Sequence, residues 1–515
     1  MSFVMFFYKL GAPSLFETDE VIYSQVAREI VRTGDWATLH LFTKNWFIHP
    51  PFYMWLTAAG SYVFGDNEFN TRIWNALFAV GLVYLTCLLG NKMYKGKVGI
   101  LAGFILATSL QFILQARIAV FDIPLVFFEM MALLFFFHWQ EDKKIRYYYL
   151  FFLSMGLAVL MKGPIGVLLP LLVIIPYLMF TGGARLLFNI HFIPGAVVTY
   201  LIGGTWYTAE AIIHGKKFVD SVFGFYLIGR YLTTIEQHYG PWYFYIPVII
   251  IGFMPWISFI PFSVAYQWRK RRDNYNLFSL IWMAVVFLFF SIAGTKLPGY
   301  IVPLYPIAAI SVSKMVQDHL SGGDNGLQKL VLSAFKTLAV LSVIFLLISA
   351  LFKVFEFPDK YDVIMGDVAA TFIIIGIGGL LASLLYFKKR SSIASFTALI
   401  ITMFIFSVFT ARHTMIDLDQ FKPMKAISQE INSIYMSDDS IIGYKVLNKG
   451  SFNHYLDKPV IWISNIVDLR ERLKQPGKIL LITNDRDSST IGVDDKQPFF
   501  VFYRAGGLVL LSNWK

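Results

Sequence analysis

The sequence predicts a mainly α, polytopic membrane protein: a bundle of transmembrane helices followed by a small α/β domain outside the membrane. Apolar runs of about 20 residues, the length that spans a bilayer, recur along most of the chain. Short basic loops separate them on alternate sides. Beyond Arg412 the helical apolar runs give way to short strand-like segments. The composition agrees, at 57% hydrophobic and 15% charged, where soluble domains are about half apolar and about a quarter charged.

Twelve apolar runs are predicted to span, at 69–89, 98–114, 123–139, 147–161, 164–180, 192–213, 242–268, 277–292, 299–314, 330–352, 368–387 and 393–411. The loops NKMYKGK (91–97), EDKKIR (141–146), RKRR (269–272) and KKR (388–390) then share one side, which the positive-inside rule makes cytoplasmic. Opposite them lie the first external loop (15–68), the 214–240 loop, the AGTKLPG turn (293–299) and everything after Arg412. That order requires a helix ahead of residue 15. Residues 1–15 as a helix reach about 22 Å against a core of about 30 Å. The expectation is therefore thirteen spans, the first beginning upstream of Met1. No charged region or small-residue cleavage site marks a signal peptide.

In the tail, SIIGYKV (440–446), KPVIWIS (458–464), KILLIT (478–483) and QPFFVFYRAGGLVLLS (497–512) read as strands, the last a hairpin turning at Gly506-Gly507. FKPMKAISQEINSIY (421–435) and IVDLRERLKQ (466–475) have helical spacing. The chain thus divides into a transmembrane domain over 1–411 and an extracytoplasmic α/β domain over 412–515. There is no internal repeat of the solenoid or inverted-transporter kind.

Several function classes are excluded. Cys87 is the only cysteine and lies in an apolar run, so disulfides and cysteine metal sites are ruled out. The net charge of +11 sits in short loops between spans. It reports topology and contact with membrane lipids rather than nucleic-acid binding.

Against this apolar background, Glu17, Asp19, Glu20, Arg28, Glu29, Arg32 and Asp35 crowd into the first external loop. Thr18 followed by Asp19 and Glu20 reads as a helix start, the acids favourable at the positive end of the dipole. Val21, Ile22, Val26, Ile30 and Val31 give that helix an apolar face. Local sequence alone is equally satisfied by acids that only complement the dipole.

The stretch ETDEVIYSQVAREIVRTGDW (17–36) with HPPFYMW (49–55) resembles the first external loop of GT-C membrane glycosyltransferases that use a polyprenyl-phosphate sugar donor. That class includes the lipid A aminoarabinose transferases and the protein-mannosyltransferase superfamily. ARIAVFDIP (116–124), MKGPIG (161–166), the blocks within 225–256 and TKLPGYIVPLYP (295–306) follow in the same order. The resemblance implies transfer of a sugar from a polyprenyl (undecaprenyl) phosphate to a lipid acceptor such as lipid A or a lipid-linked glycan. The site would face the periplasm, in the inner membrane of a bacterium. It implies Asp19 as the catalytic aspartate beside Glu20, and Asp122 as the second acidic position. No cofactor is expected.

Glycosyl transfer from a lipid phosphate needs a carboxylate to act as base or to orient the sugar, and cations to stabilise the departing phosphate. Asp122 sits at the end of an apolar helix, where an ionisable group is costly; its plainer reading is a cap ahead of Pro124. Lys162, Arg230 and Lys296 lie on the acids' side of the membrane, as phosphate ligands would. Their plainer readings are a snorkelling lysine and loop cations. Tyr300 is a further phosphate or sugar ligand, or an interfacial anchor. The aminoarabinose branch carries Glu-Lys before its two prolines, the glutamate as a metal ligand; here Ile48-His49 stands there, which argues against a metal. His49 is a phosphate donor or a structural histidine. HPP is closer to the protein-mannosyltransferase side, so protein O-mannosylation is the alternative within the class. Transport and an inactive scaffold are rivals outside it, and the external position of the acids argues against transport.

Overall fold

A computed structural model describes the whole chain except residues 17–18, 184–189, 230–238, 356–357, 359–360, 390, 437–438, 448, 457, 492–498 and 515. Among the described residues, eight helices are long and apolar enough to cross a membrane: Glu68–Met93, Asp122–Asp142, Ile145–Lys162, Asn274–Ile292, Pro298–Leu320, Asn325–Phe352, Asp362–Lys389 and Ser392–Phe421. Two bent pairs raise the count to ten. The chain is a multi-pass membrane protein.

Thirteen spans are expected from the sequence; among the described residues eight to ten pass this test of length and apolarity, and several of the expected runs are bent, divided or short. Val98–Ala107 and Leu110–Ala116 meet at 68°. There Thr108 and Ser109 turn their hydroxyls back onto the carbonyls of Phe104 and Ile105, at 2.5 and 2.8 Å, a bond that bends helices. Tyr245–Gly252 and Trp256–Arg269 meet at 111° around Pro255, which has no N–H to continue the ladder. The run expected at 192–213 is divided into Phe192–Thr199, a wider-wound turn at Tyr200–Gly204, and Thr205–His214. The run expected at 164–180 is the 16-residue helix Ile165–Phe180. The opening residues form only a short helix, Ser2–Phe7, with Met5, Phe6 and Leu10 in the core.

The tail folds as a five-stranded sheet in the order Val460–Ile463, Ser440–Tyr444, Ile479–Asn484, Leu508–Ser512, Phe500–Ala505. The first three strands are parallel and the last two form the antiparallel hairpin. That hairpin turns at Gly506 and Gly507, whose φ of +54° and +80° suit glycine. Strand alternation divides the core into two layers. Ile441, Leu480, Ile482 and Leu510 pack on the Met424–Ile434 helix and Phe452. Ile442, Leu481, Val509 and Leu511 pack on Leu469, Leu473 and Ile491. The helices Lys449–Leu456 and Asp485–Ile491 complete the layers.

Glu20 and Arg72 tie the first loop to the bundle. They are 2% and 1% exposed. The guanidinium donates to both carboxylate oxygens, Nε to Oε1 at 2.9 Å and NH2 to Oε2 at 2.7 Å. Its remaining hydrogens reach the carbonyls of Leu10, Pro13 and Ser14. Glu20 also accepts from the backbone N–H of Phe16 and Ala119. One buried ion pair therefore fixes four chain segments, every lone pair and proton used as burial demands.

The tail docks on the same loop. Asp419 accepts from the hydroxyl and N–H of Ser14, each at 2.8 Å. Lys425 pairs with Glu68 at 2.5 Å. Buried His454 donates through Nδ1 to Gln25 at 2.9 Å, and Arg28 reaches its backbone carbonyl at 2.5 Å. Burial, with Arg28 and Arg32 nearby, pushes the His454 pKa down to about 3.

Two expectations follow. Glu20→Ala or Arg72→Ala leaves an uncompensated buried charge and costs about 3–5 kcal/mol, measured as loss of folded protein in detergent. His454 excludes a proton when docked and takes one below about pH 6.5 when released. Docking is thus fully favoured above that pH. It weakens as pH falls towards 3, by up to about 1.4 kcal/mol per unit, and His454→Asn flattens that dependence in hydrogen exchange of the tail.

Candidate active site

The Asp122–Asp142 helix begins at the end of the 116–121 loop, which is held from both sides. Glu20 accepts from Ala119 N–H, and the Asn75 side-chain amide donates to the carbonyls of Gln115 and Ile118, each at 2.5 Å. Tyr23, one turn into the Asp19–Thr33 helix, packs on Phe121 with ring centroids 4.2 Å apart. Asp122 is thereby presented at a fixed height.

Lys162 ends the Ile145–Lys162 helix, where Gly163 adopts φ +93° and Pro164 starts the next helix. Its Nζ lies 2.5 Å from Asp122 Oδ1, with side-chain exposures of 16% and 15%. The ammonium also sits 4.9 Å from the centroid of the Tyr300 ring, a cation–π distance. Gly299 makes room for the arrangement: a Cβ there would lie 2.3 Å from Asp122 Oδ2.

These groups stand on the wall of a cavity of about 510 Å³. Asp122, Lys162, Tyr300, Thr295 and His49 form its polar part; Leu125, Ile165, Leu168, Phe289, Phe290 and Pro303 make much of the rest apolar. A charged pair at one end of a greasy pocket suits an amphiphile with an anionic head.

In fold, this is a known arrangement. ArnT from Cupriavidus metallidurans, in crystal structures bound to undecaprenyl phosphate and in the apo state, superposes with TM-scores of 0.83 and 0.81. Each match covers 100% of this chain and 96% of that one, at 22% identity. The fold is that of the GT-C membrane glycosyltransferases. The profile of the dolichyl-phosphate-mannose-protein mannosyltransferase family matches residues 48–206, the stretch that contains His49, Asp122 and Lys162. An undecaprenyl phosphate-alpha-4-amino-4-deoxy-L-arabinose arabinosyl transferase of Pseudomonas fluorescens is 31% identical over 64% of this chain, an alignment spanning 62% of that protein. An uncharacterised protein of Aquifex aeolicus is 26% identical over 93% of the chain and 88% of its own length.

Within this GT-C fold, three of the eight residues singled out in the sequence come together: Asp122, Lys162 and Tyr300. His49 joins them on the cavity wall, its ring packed by Phe121 at 4.7 Å and by Tyr23 and Trp46, both at 5.9 Å. Asp19 is exposed at the first turn of its helix and is not among the residues of the cavity wall. Glu20, expected with the catalytic acids, has both its oxygens committed to Arg72 and backbone N–H groups. Lys296 is 6% exposed and donates to the Ala293 carbonyl at 2.5 Å; its neighbours Ala293 and Thr295 line the cavity, and Lys296 does not. Arg230 lies outside the described residues.

Sequence reasoning passed over Arg72 and the wall residues Trp206 and Tyr207. An arginine inside an apolar run was the available signal for the first. The polar GGTWYTAE stretch inside an apolar run was the signal for the others. Gly299→Ala is expected to displace the Asp122 carboxylate and lower transfer at least about tenfold, the scale of a misplaced reacting group. Thermal unfolding of the purified variant should stay close to wild type.

Proposed function

We propose that the chain is an inverting glycosyltransferase that moves a sugar from undecaprenyl phosphate to a lipid acceptor, lipid A or a lipid-linked glycan. The reaction would occur at the periplasmic face of a bacterial inner membrane. One observation carries the reading: the Lys162–Asp122 pair, 2.5 Å apart, at the polar end of an otherwise apolar cavity. The basic loops on the opposite side support the orientation, and the aminoarabinose transferase relatives support the donor.

The polyprenyl tail lies along Leu125, Ile165, Leu168 and Phe289, and the donor phosphate reaches Lys162. Phosphate and Asp122 then compete for one ammonium, and the phosphate, with more charge and more acceptor oxygens, takes it. Asp122 is released towards the sugar, where it stabilises positive charge developing at the anomeric carbon. The acceptor oxygen attacks from the face opposite the phosphate. As the C–O bond to phosphate breaks, its electron pair stays on the phosphate oxygen, neutralised by Lys162. A hydroxyl acceptor passes its proton to an external carboxylate, for which Asp19 is suited by its exposure. A phosphate acceptor is already ionised and needs no base.

A second reading, protein O-mannosylation, is favoured by the mannosyltransferase profile over 48–206. Membranes supplied with polyprenyl-phosphate sugars separate the two: label entering lipid A or lipid-linked glycan supports the first, label entering a Ser/Thr peptide the second. In either assay Asp122→Asn should lower the rate by about 10²–10³-fold, the range of a lost charge-stabilising group. Lys162→Met should lose a similar factor. Wild-type rates from either variant would remove the assignment.

A further inference from the structure

Away from the cavity, three metal-ligating side chains meet where the last spans run into the tail. Asp367 lies in the second turn of Asp362–Lys389, His413 follows Ser392–Arg412, and Asp417 closes the Thr414–Asp417 helix. One ligand atom from each lies within 4.8 Å of the other two. Two carboxylates held so close repel one another unless a proton or a cation stands between them.

A second observation is independent of the carboxylates. Among the described residues, the hydroxyl of Thr410 is shielded from solvent and makes no hydrogen bond. Thr410 is only 6% exposed and sits one turn before His413. Buried polar atoms in native proteins are nearly always satisfied, and an orphan beside such a cluster marks an ion or water that belongs there.

We propose that Asp367, His413 and Asp417 bind one divalent transition-metal cation of the zinc class. An imidazole with two carboxylates suits zinc, whereas magnesium and calcium prefer oxygen ligands throughout. Bonds of about 2.1 Å in a tetrahedron set ligands about 3.4 Å apart, within reach of a small side-chain rotation from the present spacing. His413 is exposed, which leaves a path for the ion, and its ring stacks on Phe409 at 5.0 Å. The bound ion pins the two final spans to the linker. Two residues further on, Asp419 holds Ser14, so the ion also stiffens the segment leading to Asp19. This inference does not depend on the sugar-transfer reading.

The test uses the full chain, purified in detergent without a histidine tag, stripped with chelator, then dialysed against micromolar zinc. The expected result is one zinc per chain by elemental mass spectrometry and a rise in unfolding temperature. His413→Ala and Asp417→Asn should each weaken zinc binding at least tenfold and abolish the thermal shift. His413 is exposed, so its variant is expected to fold, which circular dichroism verifies before titration. No retained zinc, or wild-type zinc content in either variant, overturns the proposal.

Discussion

The Glu20–Arg72 pair is the constraint on which the reaction centre rests. Two charges almost wholly removed from water are expensive, and the cost is offset only because five donors and two carboxylate oxygens all find partners. Those partners belong to the opening segment, the first external loop, the Glu68–Met93 span and the 116–121 loop. A hydrophobic substitute of similar volume would pack, but it would not specify the register between these segments. The position of Asp122 on the cavity wall is therefore set some distance away, by a pair that does not line the cavity.

With the scaffold fixed, the site is a balance around a single ammonium. Lys162 lies 2.5 Å from the Asp122 carboxylate and 4.9 Å from the centre of the Tyr300 ring, and the proposed reaction exchanges the carboxylate for the donor phosphate. Gly299 and Gly163 make this possible in different ways. The first leaves space for the Asp122 carboxylate, and the second takes a positive φ that ends the helix where Lys162 must turn. The tail adds a further restraint, since Asp419, Lys425 and His454 all grip the loop that carries Asp19.

Much of this was legible in the sequence. Hydropathy and loop charge gave the membrane bundle, and strand alternation with Gly506-Gly507 gave the tail sheet and its hairpin, because each depends on local periodicity. Asp122 and Lys162 stood out as ionisable residues interrupting apolar runs. Hydropathy placed the apolar runs but could not show that Thr108, Ser109 and Pro255 bend two of them, because a break leaves the composition unchanged. The Glu20–Arg72 pairing was hidden because local sequence cannot show a partner 52 residues away: acids at a helix start look alike whether they face water or a buried arginine. The burial of Lys296 was hidden for a related reason, since a loop cation's direction depends on the backbone around it.

The central claim is that phosphate and Asp122 compete for Lys162, and lipid-phosphate binding tests it most directly. Affinity for undecaprenyl phosphate would be measured on the purified wild type, Lys162→Met and Asp122→Asn. Lys162→Met should weaken binding at least about tenfold, the loss of a charge-assisted contact. Asp122→Asn should bind as tightly as wild type or severalfold tighter, because the competing carboxylate is gone. Unchanged affinity in Lys162→Met, or weakened affinity in Asp122→Asn, would contradict the account.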